Sequence, residues 1–526
     1  MGGYMKEQII ILGAGVMQGP AIRIAKELGF FTIALDGSSN APCVSMADRF
    51  EQIDLKDKEG IETFARSIQG SCERLGIMTA GTDFSASVAW VAEKLGLPGI
   101  PYETALNASD KSRMRECFKK ASLPSPDFFT ITKNDNFDTI SLPFPVVIKP
   151  VDNMGGRGCR RVNNIEEFNE ASNSAINFSR SGRAIVENFM DGPEFSVDAI
   201  VYKGEITICG LADRHIFFPP YFIEMGHTMP TVIEEQKQSA MLETFRAGVR
   251  ALGIAEGENI GAAKGDIKLT EKGPMIGEIA ARLSGGYMSG WTYPYSSGVQ
   301  PIRAAILAAM GRKPDALAPE KNWTCAERAF ISIPGTVKQI ANLEKARTLP
   351  YINDLFLRIE EGGKVSFPEN NVTKCGNIIA SAPKREDAIA EAETAARSIL
   401  IRLDPSDTET SAFLSAKTSF PPDAFQLTDE LKKALSKIPD FPPQKDTGAS
   451  LSIFPFTALA SSNLSDYMGR TVEETLDAVR LLTGFPLPLA EKNAENKSIL
   501  GRSFWTALIR GSYQGAVYYI DKFTGA

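Results

Sequence analysis

Histidine is scarce in this chain. Its 526 residues include two, His215 and His227, which argues against a zinc hydrolase or a Ser-His-Asp enzyme. Long apolar runs are missing as well. None reaches the roughly 18 residues of a membrane helix, so no membrane span is expected. The cysteines at 43, 72, 117, 159, 209, 325 and 375 are odd in number, dispersed, and form no CxxC pair. That pattern excludes a disulfide framework and fits buried thiols in a reducing cytoplasm. Positive charge is not in excess: the net charge of −7 argues against a nucleic-acid binder. The start, MGGYMKEQIIILGAG, lacks a signal-peptide cleavage pattern, and Lys6 spoils a myristoylation match. No internal repeat is present.

What remains is an ordinary globular composition, 43% hydrophobic and 23% charged, long enough for several domains. Residues 8–100 alternate strand and helix patterns: an apolar strand at 8–12, a glycine turn at 13–19, a helix at 20–28, and strands ending at Asp36 and at Thr82-Asp83. Such alternation predicts a small doubly wound parallel sheet with ligands at its carboxyl strand ends. From residue 107 the pattern becomes α+β. Strands are expected at 128–132, 145–150, 159–162 and 184–187, then a strand-rich stretch over 194–286 with helices near 234–252 and 300–310. Residues 320–404 read as α+β, and the polar stretch after Pro405 as a linker. The tail to Ala526 carries expected helices at 471–482 and 501–510. The fold class is therefore α/β and α+β, with domains at 1–105, 106–315, 316–404 and 405–526. Residues 125–188 form a subdomain of the second.

Four motifs carry chemistry. Gly13-x-Gly15-x-x-x-Gly19 follows a strand, and Asp36 ends the next one. This is either a dinucleotide turn with Asp36 on a ribose hydroxyl, or a turn whose glycines let a helix pack closely. No hydride-transfer acid or base accompanies it, which weighs against a nicotinamide cofactor. The second motif places Lys149 at the end of an apolar strand, just before Gly155-Gly156-Arg157-Gly158. Small residues bring backbone N–H groups against phosphate oxygens while the lysine supplies charge. Lys111 comes from the preceding helix. In the third, Glu187, the connector near Met190, and Glu194 offer what a purine nucleoside needs: an amine acceptor, backbone groups and a ribose contact. The fourth is the hairpin KGDIKLTEKGPMIGEIAARLSGG. Asp266 and Glu278 sit in apolar runs on either side of Glu271-Lys272-Gly273-Pro274, and Arg282 follows. Facing acids of this kind hold magnesium shared with substrate phosphates.

In order and spacing, Lys111, Lys149, the glycine loop, Glu187, Glu194, Asp266, Glu278 and Arg282 resemble the ATP-grasp superfamily over roughly residues 5–400. The resemblance implies a Rossmann-like (pre-ATP-grasp) front domain and a two-subdomain ATP-grasp fold with residues 125–188 as its lid. It also implies a mixed C-terminal extension. ATP would meet Lys111 and Lys149 at its phosphates, Gly155, Gly156 and Gly158 as a lid, Glu187 at the adenine amino group, Met190 beside the base, and Glu194 at the ribose. Asp266 and Glu278 would bind magnesium or manganese, and Arg282 with Lys149 would act in catalysis. One departure stands out: the family's usual Glu-x-Asn-x-Arg is here Glu278-Ile279-Ala280-Ala281-Arg282, so Ala280 replaces a ligand.

Substrate choice is expected from the stretch 211–231, with Arg214, His215, Glu224 and His227, and its piece 220–230 resembles the L-amino-acid ligase branch. There Glu224 would meet an ammonium, Arg214 or Arg282 a carboxylate, and His227 the substrate. The expected activity is an ATP-dependent carboxylate–amine ligase of the carbon–nitrogen type working through an acyl phosphate. Its partners would be small-molecule carboxylates and amines, with no nucleic acid and no membrane. A homodimer is one arrangement the tail allows. The alternatives are biotin carboxylase-like, carbamoyl-phosphate synthase-like or purine-biosynthetic enzymes, or a nucleotide-binding sensor with impaired catalysis, the last suggested by Ala280.

Overall fold

The computed structural model describes residues 5–135, 141–315, 317–441, 451–490 and 498–525. They divide into two compact units, Met1–Glu327 with Ser381–Ala388, and Arg328–Ala380 with Ile389–Ala526. Among the described residues, no helix is long and apolar enough to cross a membrane.

The first unit opens with the expected parallel sheet. Its strands are β1 (Met5–Leu12), β2 (Phe31–Asp36), β3 (Arg49–Gln52) and β4 (Cys72–Thr79), in the order β3-β2-β1-β4. The unbroken apolar run of β1 has a simple cause: both faces are covered. Ile9 and Ile11 enter one core with α1 (Gly19–Glu27), while Ile10 and Leu12 enter another with α2 (Lys58–Gln69) and α3 (Ser85–Leu95). Two further helices, α4 (Tyr102–Ser109) and α5 (Lys111–Lys120), lead out of this domain.

Next comes a four-stranded antiparallel sheet of β5 (Phe128–Thr132), β6 (Val146–Pro150), β7 (Arg160–Val162) and β8 (Arg183–Asn188), ordered β5-β8-β6-β7. Helix α6 (Ile165–Phe178) covers it through Phe168, Ala171, Ala175 and Ile176. The glycine loop joins β6 to β7. Gly155, Gly156 and Gly158 have φ of +69°, +77° and +68°, a path that side-chain-bearing residues follow only at a cost.

The third layer of this unit is the sheet β13-β12-β9-β10-β11. It contains β9 (Glu194–Tyr202), β10 (Glu205–Phe217), β11 (Ile223–Met229), β12 (Ile260–Thr270) and β13 (Gly273–Ala280). One face is apolar: Phe195, Val197, Ala199, Ala263, Ile267 and Ile279 pack with Met241, Phe245 and Val249 of α7 (Glu235–Ala251). By strand alternation the other face carries the charged residues.

The expected hairpin is β12–β13, joined by Glu271-Lys272. From its turn, Thr270 pairs with Gly273 and Ile267 with Ile276, but Asp266 pairs with Glu278. Gly277 is therefore an extra residue, a bulge of the kind that re-aims side chains beside functional sites. A Cβ on Gly277 would lie 3.0 Å from the Asp266 carbonyl oxygen.

The second unit has a three-stranded sheet of Lys364–Val365, Gly335–Ala341 and Leu400–Leu403. Residues on both sides of Pro405 belong to this unit. The polar stretch read as a linker instead starts a helix, Thr408–Ser415, whose N-cap Asp407 accepts from the Glu409 N–H. The expected helix at 501–510 continues as Arg502–Thr524, with non-helical backbone at Gly511 and Ser512. Its Phe504, Trp505, Leu508 and Ile520 join Leu451, Ile453, Leu476 and Val479 in a separate core.

Candidate active site

The charged face of β13-β12-β9-β10-β11 is laid out in rows by strand register. Lys268 lies opposite Glu194, which lies opposite Arg214; Glu278 lies opposite Asp266; Ala280 lies opposite Lys264, which lies opposite Asp198. Arg214 is the hub of the first row. It reaches Glu224 through two nitrogens, Nη2–Oε2 at 2.8 Å and Nε–Oε1 at 3.3 Å, and also bonds Glu194. Burial alone would lower its pKa, but Asp266, Glu224 and Glu194 hold it well above the usual guanidinium value.

Asp266 meets two cations, Lys264 at Oδ2 and Arg214 Nη1 at 3.0 Å from Oδ1. The second approach lacks hydrogen-bond direction, leaving Asp266 Oδ1 buried without a hydrogen-bond partner. An orphaned carboxylate oxygen beside a second carboxylate, Glu278, fits a divalent cation.

The second cluster surrounds Glu187, which is 2% exposed. Its Oε2 holds Lys149 Nζ at 2.7 Å and its Oε1 holds Arg115 Nε at 2.8 Å. Burial raises the Glu187 pKa, and the two cations reverse that, keeping it below the ordinary value. Arg115, 1% exposed, also donates to the carbonyls of Ile276 at 3.2 Å and Gly277 at 2.6 Å. One guanidinium thus ties α5, β8 and the β13 bulge together.

Lys111 opens α5 beside the Asp110 N-cap; its Nζ donates to the Asn153 carbonyl at 2.9 Å and lies 3.5 Å from Glu278 Oε1. Burial opposes ionisation of Glu278, but Lys111, Lys264, Lys149 and Arg282 outweigh it and hold the carboxyl down at about 2. Arg282 is 9% exposed, with one bond from Nη1 to the Leu283 carbonyl at 3.1 Å and a buried Nε that has no partner.

Chains with these features are known. The family described as "ATP-grasp domain" matches residues 142–290, and "L-amino acid ligase C-terminal domain 2" matches residues 329–404.

The chain carries an ATP-grasp domain over residues 142–290.

Three similar proteins illustrate its range. The y4rH protein of Sinorhizobium fredii is 24% identical over 63% of this chain and 68% of its own. Carnosine synthase 1 of Gallus gallus is 22% identical over 72% of this chain, which spans 43% of that longer protein. The crystal structure of an L-amino acid ligase from Bacillus licheniformis is 22% identical, with a TM-score of 0.65 over 76% of this chain and 99% of that one.

Within the candidate site, the structure brings together Lys111, Lys149, Glu187 and Glu278, and likewise Glu194, Arg214, Glu224 and Asp266. Met190 lies in the connector between β8 and β9, beside Phe189, which stacks with Phe222 and carries Arg161 4.3 Å above its ring. Three of these expectations meet protein partners in the structure. Glu187, expected at the adenine amine, holds a cation at each of its oxygens. Arg214 and Glu224, read as separate substrate contacts, are partners of each other. His227 is 0% exposed; its Nε2 bonds Thr292 Oγ1 at 2.9 Å and its Nδ1 lies 3.2 Å from Glu327 Oε2, so it supports the sheet from inside.

The front glycine turn is closed on itself. Asp36 accepts from Ala14 N at 2.9 Å, and Gln18 Oε1 accepts from Gly15 N at 3.1 Å while its amide reaches the Ala80 carbonyl. This favours the packing reading over a ribose contact.

Lys264 and Arg115 escaped the sequence reading, although both carry a signal. Lys264 precedes Asp266 by two residues, the same-face spacing of a strand, and Arg115 follows Lys111 by four, the same-face spacing of a helix. At Ala280, the missing asparagine faces Lys264, whose ammonium already occupies Asp266. Among the described residues, no group of three or more His, Cys, Asp or Glu is placed to hold a metal. The candidate metal pair is therefore Asp266 and Glu278.

Proposed function

We propose that the chain is an ATP-dependent ligase joining a small carboxylate to a small amine. The observation that carries it is the pairing of Asp266 with Glu278 beside Lys111, which sets a cation site next to phosphate-binding lysines. Lys111 and Lys149 would hold the ATP phosphates under the Gly155, Gly156 and Gly158 loop. The connector at Met190 would face the base and Glu194 the ribose, with Glu187 fixing Lys149 in place. Magnesium or manganese, held by Asp266 and Glu278, would offset phosphate charge.

In the first step a carboxylate oxygen takes the γ-phosphoryl group and ADP leaves. In the second, the amine nitrogen forms a bond to the acyl carbon. The bond from that carbon to the phosphate oxygen breaks, phosphate leaves with its electron pair, and the nitrogen, attacking as the free amine, sheds one proton. Arg282, with its unpartnered Nε, is placed to bind the oxygens that gain charge in both steps. The L-amino acid ligase match at 329–404 and the carnosine synthase likeness support amino-acid-like substrates. No disulfide joins any of the seven cysteines, which supports a reducing, cytoplasmic setting.

A second reading is a nucleotide-binding sensor with impaired catalysis. Ala280, and the contacts of Lys264 and Arg214 with Asp266, favour it. Screening amino acids and amines for ADP and phosphate release, with mass spectrometry of products, separates the two. Tight ATP binding without turnover on any pool would support the sensor.

A further inference from the structure

The Asp266–Glu278 pair is short of ligands. Among the described residues, no third His, Cys, Asp or Glu joins these carboxylates in a group placed to hold a metal. Ala280, two residues beyond Glu278 and so on the same face of β13, offers only a methyl group. Opposite Ala280 on β12 is Lys264, and opposite Lys264 on β9 is Asp198. The lysine is thus flanked by a methyl group on one side and a carboxylate on the other.

Hydrogen bonds decide where its ammonium goes. Asp198 is 0% exposed and takes two donors from Ser284, the N–H at 3.0 Å from Oδ1 and the hydroxyl at Oδ2. Lys264 Nζ instead bonds Asp266 Oδ2, along its own strand. The two side chains are 16% and 14% exposed, so water screens the pair little. Glu278 is the diagonal neighbour of Lys264 across the hairpin, within reach of a long side chain.

This contact divides Asp266. Oδ2 belongs to the ammonium, while Oδ1 is the buried oxygen without a hydrogen-bond partner. Arg214 Nη1 stands 3.0 Å from Oδ1, but Glu194 and Glu224 hold that guanidinium. A divalent ion bound by Oδ1 and Glu278 would therefore share Asp266 with Lys264. A second ion would need Oδ2, against a like charge in a poorly screened place. It would also find no side-chain ligand at position 280.

We propose that Lys264 is the built-in second cation of this site. One divalent ion binds between Asp266 and Glu278, and the Lys264 ammonium supplies the positive charge that a second ion would bring to a triphosphate. This rests on the ligase reading above. An ammonium is a compact point charge that needs no coordination shell, which is why alanine suffices at position 280.

The test counts metal and needs no turnover. Enzyme saturated with an ATP analogue whose β–γ bridge is nitrogen is titrated with Mn²⁺, and free ion is read by electron paramagnetic resonance. The wild type should take one Mn²⁺ per bound analogue. Lys264→Met should bind that ion about 10-fold more tightly, because a neighbouring positive charge is gone. Lys264→Arg, which keeps the charge, should match the wild type. Lys264→Met combined with Ala280→Asn should take two ions. Calorimetry of analogue binding shows that each variant is folded. Two ions on the wild type overturn the role of Lys264 while leaving the ATP site standing. So does a Lys264→Met affinity no tighter than the wild type, or a double variant that still takes one. A wild type that binds neither analogue nor Mn²⁺ brings down the ligase reading itself.

Discussion

Two glycine turns in this chain carry the same sequence signal and serve different ends. The front turn has one left-handed glycine, Gly13 at φ +100°, whereas Gly15 and Gly19 have ordinary φ of −75° and −49°. Its amides are taken by Asp36, Gln18 and Leu35. Gly19 is there for fit: a Cβ would lie 3.0 Å from Cys43 Sγ. In the loop between β6 and β7 all three glycines are left-handed, and Lys149 and Arg157 stand beside them in the sequence. A glycine pattern thus reports a backbone need, and the neighbouring charges decide whether a ligand is involved. Lys149, two strands and an ion-pair network separate one case from the other.

The sharpest test of this contrast lies on the lid side. Lys149→Ala and Glu278→Gln should each lower ADP formation by about 10²- to 10³-fold, the scale of removing a charge-stabilising group. Wild-type turnover in either would erase the distinction between the turns. Next in size, Arg115→Leu should destabilise the first unit by about 3–5 kcal/mol, since it removes one of the two cations that compensate the buried Glu187 carboxylate and frees the carbonyls of Ile276 and Gly277. Thermal unfolding reads this, and Arg115→Lys should recover part.

The front turn gives a smaller, different signature. Asp36→Asn should cost about 1–2 kcal/mol of stability through weakened amide acceptance while leaving ATP affinity unchanged. Gly156→Ala should do the reverse, weakening ATP binding through about 1–2 kcal/mol of left-handed strain. If calorimetry showed Asp36→Asn to abolish ATP binding, the front turn would be a nucleotide site after all.

The smallest effect is on pH. Burial lifts the Asp198 carboxyl to about 6, against the pull of Ser284, Lys264 and Arg282. A carboxyl raised in the folded state favours folding most below its unfolded value, roughly 3.9, and that contribution is lost as pH rises through about 6. Stability of the wild type should therefore decline between these values, and Asp198→Asn should flatten the slope. Glu278 has the opposite sign. Held at about 2, it contributes stability that is full well above its unfolded value, roughly 4.3, and is lost as pH falls from there through about 2, so it should be silent only in the upper part of that window.

The parts legible in the sequence were those with a local period. The apolar run of β1, the Lys149 strand with its loop, and the two acids of the hairpin each appear as a pattern within a few residues. What was not legible depends on register between distant strands. Glu187 and Arg115 are 72 residues apart, and nothing near either reveals the other. Arg214 and Glu224 lie on facing strands joined through an irregular pairing at His215 and Ile216, so alternation alone does not show that they meet. His227 was expected at the substrate from the stretch it sits in, and its complete burial depends on packing that the local sequence does not show.

The bulge at Gly277 has a consequence for how this site can change. In a regular hairpin with the same turn, Asp266 would face Gly277, and Glu278 would point into the apolar layer beneath. One surplus residue works as a phase shifter, moving the strand half a period so that an acid surfaces where it is needed. Arg115 grips the carbonyls on this shifter and so guards the phase as well as the charge. Deleting Gly277 would leave every functional side chain in the sequence and still dismantle the site, because the second carboxylate would be aimed at oil instead of water.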